Sequence, residues 1–310
     1  MFFRREGIGD VRLAEVHERR LTAMTVRRAG DGVQPGEVWA ARVDAPGRAS
    51  IGDEVLAVAP WPAGLTQGAR LVIEVTRAAI PERGRLKPAR ARPAPDMPGE
   101  GLLRAAPAIL ARDQWPDWLA EQWDDAWTAA ELGRLAFPGG VLLLTPTPAH
   151  LAVDVDGDAP PLVLAMAAVR ALAAALRLYG VGGSVVLDLP SLPDKAARTA
   201  VGEAFDAAMA PPHERTAING YGLMQVILPR QGPSIIERAW YQRAESRALA
   251  LLEAAARDSG HGPMRLVLEP DSARWLEGQP ALPAALSATT GRPVAVTARA
   301  GVGGGHVEAV

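Results

Sequence analysis

The chain has 310 residues, 48% hydrophobic and 22% charged, with a formal net charge of −2. These values suit a soluble folded protein of more than one domain and give no global case for nucleic-acid binding. The absence of cysteine excludes disulfides, thiolate zinc sites and cysteine nucleophiles, and suits a reducing, cytoplasmic setting.

The N-terminal MFFRREGIGD has no apolar run of signal-peptide length. DVRLAEVHE and RLTAMTVRR alternate as a pair of strands would. Gly36–Arg77 follows with short β runs punctuated by glycine and proline, the pattern of a small β-barrel or part of one. Arg77–Arg92 is strongly basic, with Glu82 as its one acid, and reads as a basic arm or, more simply, a solvated loop. Arg85–Gly101 is rich in proline and arginine and predicts an extended connection. Trp115–Phe137 carries Trp115, Trp118, Trp123 and Trp127 at helical spacing, which favours an amphipathic helix over a base-stacking platform.

From Gly139 the pattern is strand–strand–helix–strand–helix–strand. GGVLLLTPTPAHLAVDVD gives two strands, a helix runs over about 162–178, SVVLDL is a strand, a helix runs over about 194–209, and GLMQVILPR is the last strand. Pro161–Tyr179 is apolar enough to raise a membrane span, but Arg170 and Arg177 interrupt it, so a buried helix is expected. A helix over Ile235–Gly260, then MRLVLEP, DSARWLEG and PVAVTAR, predict a small α/β unit.

Chemistry points to the acids. LAVDVDGD places Asp154 and Asp156, and GGSVVLDLP places Asp188, at the ends of strands expected to be buried, where an unpaired carboxylate costs several kcal/mol. With no base beside them, the strand-end aspartates suit a hard cation such as Mg²⁺, which supports phosphodiester hydrolysis. The plainer alternative is a turn or helix cap. The five histidines show no metal-binding spacing, and there is no GxSxG or P-loop. His150 precedes Asp154 by four residues, which on a strand puts both on one face; a structural role is the simpler reading, a water-positioning one the alternative.

In this order, GGVLLLTPTPAHLAVDVD, LRLYGVGGSVVLDLPSL and INGYGLMQVILPRQGPSI resemble the bacterial ribonuclease E/G endoribonucleases. The resemblance implies an α/β fold, α+β overall. An RNase H-like part (1–35 and 86–138) would carry a reduced S1-like insertion (36–85), followed by a DNase I-like catalytic subdomain (139–234) and a small C-terminal α/β domain (235–310). It implies one Mg²⁺ held by Asp154 and Asp188, with Asp156 at the position of a family asparagine as a third catalytic carboxylate. Arg77, Arg83, Arg85 and Lys87 would hold single-stranded RNA. Arg104 matches the arginine of the 5′-monophosphate sensor, although its partner threonine is Ala105 here. Trp39 and Trp61 are the substitutes for a base-stacking aromatic pair, and Gly220 replaces an arginine. The cysteines that link protomers through zinc are missing, so neither zinc nor a zinc-linked dimer is expected, and no membrane partner. The implied activity is Mg²⁺-dependent hydrolysis of single-stranded RNA, leaving a 3′-hydroxyl and a 5′-phosphate. The alternative is a non-catalytic RNA-binding protein that keeps the fold.

Overall fold

Three strands open the chain: β1 (Phe2–Glu6), β2 (Asp10–His17) and β3 (Arg20–Arg28), paired antiparallel in that order. Alternation sends Ala14, Val16, Met24 and Val26 inward. The two-residue turn between β2 and β3 puts Glu18 and Arg19 at φ 48° and 59°, the conformation that matches strand twist in tight hairpins. The computed structural model describes residues 1–106, 111–112, 115–210 and 212–309. Positions 107–110 and 113–114, within the expected 86–138 part, lie outside the described residues.

Next come β4 (Val38–Ala45), β5 (Arg48–Ile51), β6 (Glu54–Val58) and β7 (Arg70–Arg77), a hairpin of β8 (Ile80–Glu82) and β9 (Arg85–Lys87), then β10 (Arg90–Pro93) and β11 (Gly101–Arg104). β4, β5, β6, β10 and β7 pair in that order, and β7 pairs back onto β4, closing a five-stranded ring. The β6–β10 pair is parallel and the others are antiparallel. Ala49, Leu56, Ile73, Val75 and Ala91 fill it. The barrel therefore runs past the expected boundary at residue 85. Its fifth strand comes from the stretch predicted as an extended connection, because Arg90 and Arg92 face solvent while the small Ala91 alone marks the inward phase. Arg77–Arg92 is a strand end, a hairpin and a strand rather than a loop. β11 adds to the outer side of β4.

Helix α1 (Asp117–Leu132) buries Leu119 and Trp123. The tilted Trp115–Trp123 pair and the edge-on Phe3–Trp118 pair seat it on the first sheet, as the core-covering reading requires. A six-stranded sheet follows: β12 (Arg134–Phe137), β13 (Gly140–Pro146), β14 (Leu151–Asp156), α2 (Pro161–Leu178), β15 (Gly183–Asp188), α3 (Lys195–Ala208), β16 (Glu214–Arg215) and β17 (Leu223–Leu228). The expected alternation is present, with β12 and β16 added at the edges of the order β12-β13-β14-β15-β17-β16. α2, the one helix among the described residues long and apolar enough to cross a membrane, buries Ala165, Ala168, Leu172 and Leu176 in the main core.

The expected helix over Ile235–Gly260 is two: α4 (Ile235–Tyr241), opened by a capping box of Ser234 and Glu237, and α5 (Arg243–Ala256). The break falls at Gln242 (φ −117°, ψ 37°), where the Ser246 hydroxyl donates to the carbonyls of Arg238 and Gln242 and draws the turn open. β18 (Met264–Leu268), α6 (Pro270–Glu277), α7 (Ala281–Thr290), β19 (Val294–Ala298) and β20 (His306–Ala309) complete a unit with its own core and the sheet order β19-β18-β20. The whole is mixed α/β, α+β in overall organisation.

Candidate active site

β14 and β15 are parallel neighbours, and Asp154 and Asp188 are direct partners in their register. Val153 and Leu187 point into the core, so the aspartates, one position along on each strand, point to the opposite face, and both are exposed there. Strands lie roughly 4.8 Å apart, which sets the two carboxylates side by side. This corrects the expectation of burial: β14 and β15 are covered on one face only, so water solvates the charges and no desolvation cost arises. The row across the open face reads Arg134, Leu143, Asp154, Asp188, Leu223. Among the described residues neither aspartate has an ion-pair or side-chain hydrogen-bond partner.

Asp156 lies on the same face across from Val141, roughly 7 Å further along the strand. No group of three His, Cys, Asp or Glu side chains is placed to hold a metal among the described residues, so the arrangement is a two-carboxylate one. That donor set fits Mg²⁺, which binds through one or two carboxylates and keeps several waters. His150 is not on the strand face. It closes the turn before β14, where its carbonyl accepts from the Thr147 hydroxyl at 2.7 Å, and it borders a cavity of about 30 Å³ shared with Glu82, Ser184, Arg230 and Glu237.

The turn at 219–222 holds the end of β15. Asn219 Oδ1 accepts from the N–H groups of Tyr221 and Leu223, and Leu189 N–H donates to Gly222 O at 3.2 Å. Gly222 is left-handed (φ 89°), and a Cβ on it would stand 2.3 Å from Leu189 O. Tyr221, 84% exposed, projects beside this turn. The sequence pointed to Gly220 and the Tyr221-Gly222 turn but not to the hold that Asn219 and Gly222 have on the end of β15, although N-G-x-G is a turn signal.

The basic residues divide. Arg77 is buried at the end of β7, and Arg83 is exposed at the tip of the β8–β9 hairpin. Arg85 and Lys87 both turn to Glu82, at 2.7 and 3.5 Å. Burial acts to raise the Glu82 carboxyl, yet hydrogen bonds and charge from Arg85 and Lys87 hold it below the usual range. Arg104 is exposed on β11, opposite Val38 of the barrel, and so belongs with the barrel rather than with the first sheet. Trp39 and Trp61 are half-buried against the barrel core, and Trp39 Nε1 donates to Glu37 at 2.8 Å. The structure thus brings Asp154 and Asp188 together and leaves Arg104 apart from them on another sheet.

No protein-family model matches the chain, and no curated protein sequence matches it.

Proposed function

We propose that the protein is a Mg²⁺-dependent endoribonuclease that hydrolyses single-stranded RNA in the cytoplasm, a compact relative of the ribonuclease E/G enzymes. The observation that carries the reading is the pair Asp154 and Asp188, in register on an open sheet face with no cation of their own among the described residues. Barrel topology supports it: with β4, β5, β6, β7 and β10 counted one to five, the ring order is 1-2-3-5-4. That is the order of oligonucleotide-binding barrels, to which S1 domains belong. In this reading the first sheet with α1 is the RNase H-like part, the ring is the S1-like insertion, and β12–β17 form the DNase I-like subdomain.

Asp154 and Asp188 would hold one Mg²⁺. When bound, the ion supplies polarisation of a phosphoryl oxygen and a water of lowered pKa. Leu143 and Leu223 border the pair and give a ribose or base an apolar footing, and the exposed Tyr221 ring offers a stacking surface. A second reading, RNA binding without cleavage, is favoured by the lack of a third ligand among the described residues and by Ala105 at the sensor position.

The test is a fluorescent A/U-rich single-stranded oligoribonucleotide incubated with Mg²⁺ or with EDTA. Cleavage is expected with Mg²⁺ only. Asp154→Asn and Asp188→Asn should each lose several kcal/mol of transition-state stabilisation, on the order of 10²–10³-fold in rate, with unchanged circular dichroism. Cleavage persisting in the double variant overturns the metal assignment. Binding without cleavage in any divalent ion selects the second reading.

A further inference from the structure

Arg77 closes β7 and Arg90 opens β10, and the two are direct partners across that ladder. One residue on, Ala78 N–H donates to Gln231 O at 2.8 Å, which brings the segment carrying Arg230 against the same end of the barrel. Arg77 is 8% exposed yet meets no carboxylate among the described residues. One of its terminal nitrogens donates to Pro88 O at 2.5 Å, and its buried Nε has no partner. Arg230 does pair with a carboxylate, Glu237, but like Arg77 it has a buried Nε with no partner. Arg90 is exposed and makes no ion pair among the described residues.

Of the five buried, unpartnered side-chain polar atoms among the described residues, two fall on this one cluster. Buried donors without acceptors call for an explanation, and a missing anion is a direct one. Burial, and then the positive charges of Arg90 and Arg230, push the Arg77 guanidinium below its ordinary range, as expected for like charges gathered round a dry group. The hairpin beside it differs: one carboxylate, Glu82, answers both Arg85 and Lys87 there, whereas the three arginines here share only Glu237, on Arg230, among the described residues.

We infer that Arg77, Arg90 and Arg230 form a seat for one phosphate group at the seam between the barrel and the six-stranded sheet. Guanidinium forks match phosphate oxygens in geometry and charge. The phosphate would be one of an RNA backbone, and in that respect the inference rests on the function proposed above. Placement agrees: a Cβ on Gly183 would lie 3.4 Å from Arg230 Cδ, and Asp188 ends the same strand roughly 17 Å away. RNA held at the seam would thus reach the aspartate pair a few nucleotides along.

The experiment measures binding of a fluorescent A/U-rich single-stranded oligoribonucleotide by anisotropy over a series of salt concentrations. It uses the full chain and its Arg90→Gln and Arg230→Gln variants, with Arg274→Gln on the exposed surface of α6 as the control, and leaves the buried Arg77 intact. The slope of log affinity against log salt should fall by about 0.7 in Arg90→Gln and in Arg230→Gln, as the one phosphate contact is lost, and stay unchanged in Arg274→Gln. Equal slopes in all four proteins, with wild-type binding and cleavage intact, overturn the seat and leave the RNA reading standing. If the wild type binds no RNA, the RNA reading falls, and calorimetric titration with inorganic phosphate then decides the seat. Phosphate binding lost in Arg90→Gln retains it as a site for a free phosphate, and no phosphate binding ends it.

Discussion

Two carboxylates about 5 Å apart in water repel by only about 1 kcal/mol, so Asp154 and Asp188 can face each other on a hydrated sheet without threatening it. In sequence, both stood out as acids ending apolar runs, and their identity was legible. Their exposure was legible too, since V-D-V-D alternates on one strand and Leu187-Asp188 on the next, but the apolar runs suggested strands covered on both faces. A marked electrostatic effect lies elsewhere, at Asp206 on α3. Hydrogen bonds from Arg215, assisted by His213, lower its pKa to about 2 from an ordinary 3.8. A depressed folded-state pKa gives a stabilisation that is complete above the ordinary value and disappears as pH falls through the folded one. Asp206→Asn should therefore lower the thermal midpoint at pH 6, with the gap to wild type closing between about pH 4 and pH 2. A gap that is constant over that range would show that the carboxylate charge contributes nothing.

Elements were readable where a face is strongly apolar. The order of strands and helices from Gly139 to Leu228 follows from its periodicity, and α2 is packed where its alanine and leucine stripe requires. β10 was hidden because its inward residue is alanine and its flanks are arginine and proline, a composition that mimics a linker. The α4–α5 break depends on Ser246 bonding to two carbonyls of the preceding turn, which propensity does not report. The 219–222 turn matters most for the candidate site, because it touches the strand end after Asp188. Gly222→Ala adds a side chain at φ 89° and 2.3 Å from Leu189 O, a strain of about 1–3 kcal/mol that is relieved only by moving that strand end. Oligoribonucleotide cleavage should fall at least tenfold while far-ultraviolet circular dichroism is retained. Wild-type cleavage in this variant would mean that the turn does not position Asp188.

At the scale of the molecule there are three apolar cores among the described residues, and polar contacts tie them together. The ties of Arg238 to Asp31 and of Glu253 to Arg5 and Arg12 were not visible in sequence, because each partner lies far along the chain from the other. Arg238 grips Asp31 with both terminal nitrogens, at 2.9 and 2.6 Å. Glu253 of α5, 7% exposed, holds Arg5 at 3.0 Å, Arg257 at 3.2 Å and the side chain of Arg12, and so fastens the first sheet to the C-terminal unit. Glu253→Gln leaves Arg12 with Asp10, at 3.1 Å, as its one carboxylate among the described residues and should cost about 1–3 kcal/mol, seen as an earlier transition in urea. An unshifted transition would show the seam to be held by its apolar contacts alone.

The barrel has one more property. The chain enters the five-stranded ring where Gly36 N–H donates to Val75 O and leaves the ring, before β11 returns along β4, where Ala94 N–H donates to Val72 O, so both crossings lean on the same strand, roughly 10 Å apart. A module whose two ends already meet can be carried, enlarged or trimmed by a lineage with little change in loop-closure entropy for the host. The host's own layers need not register how large the inserted piece has become.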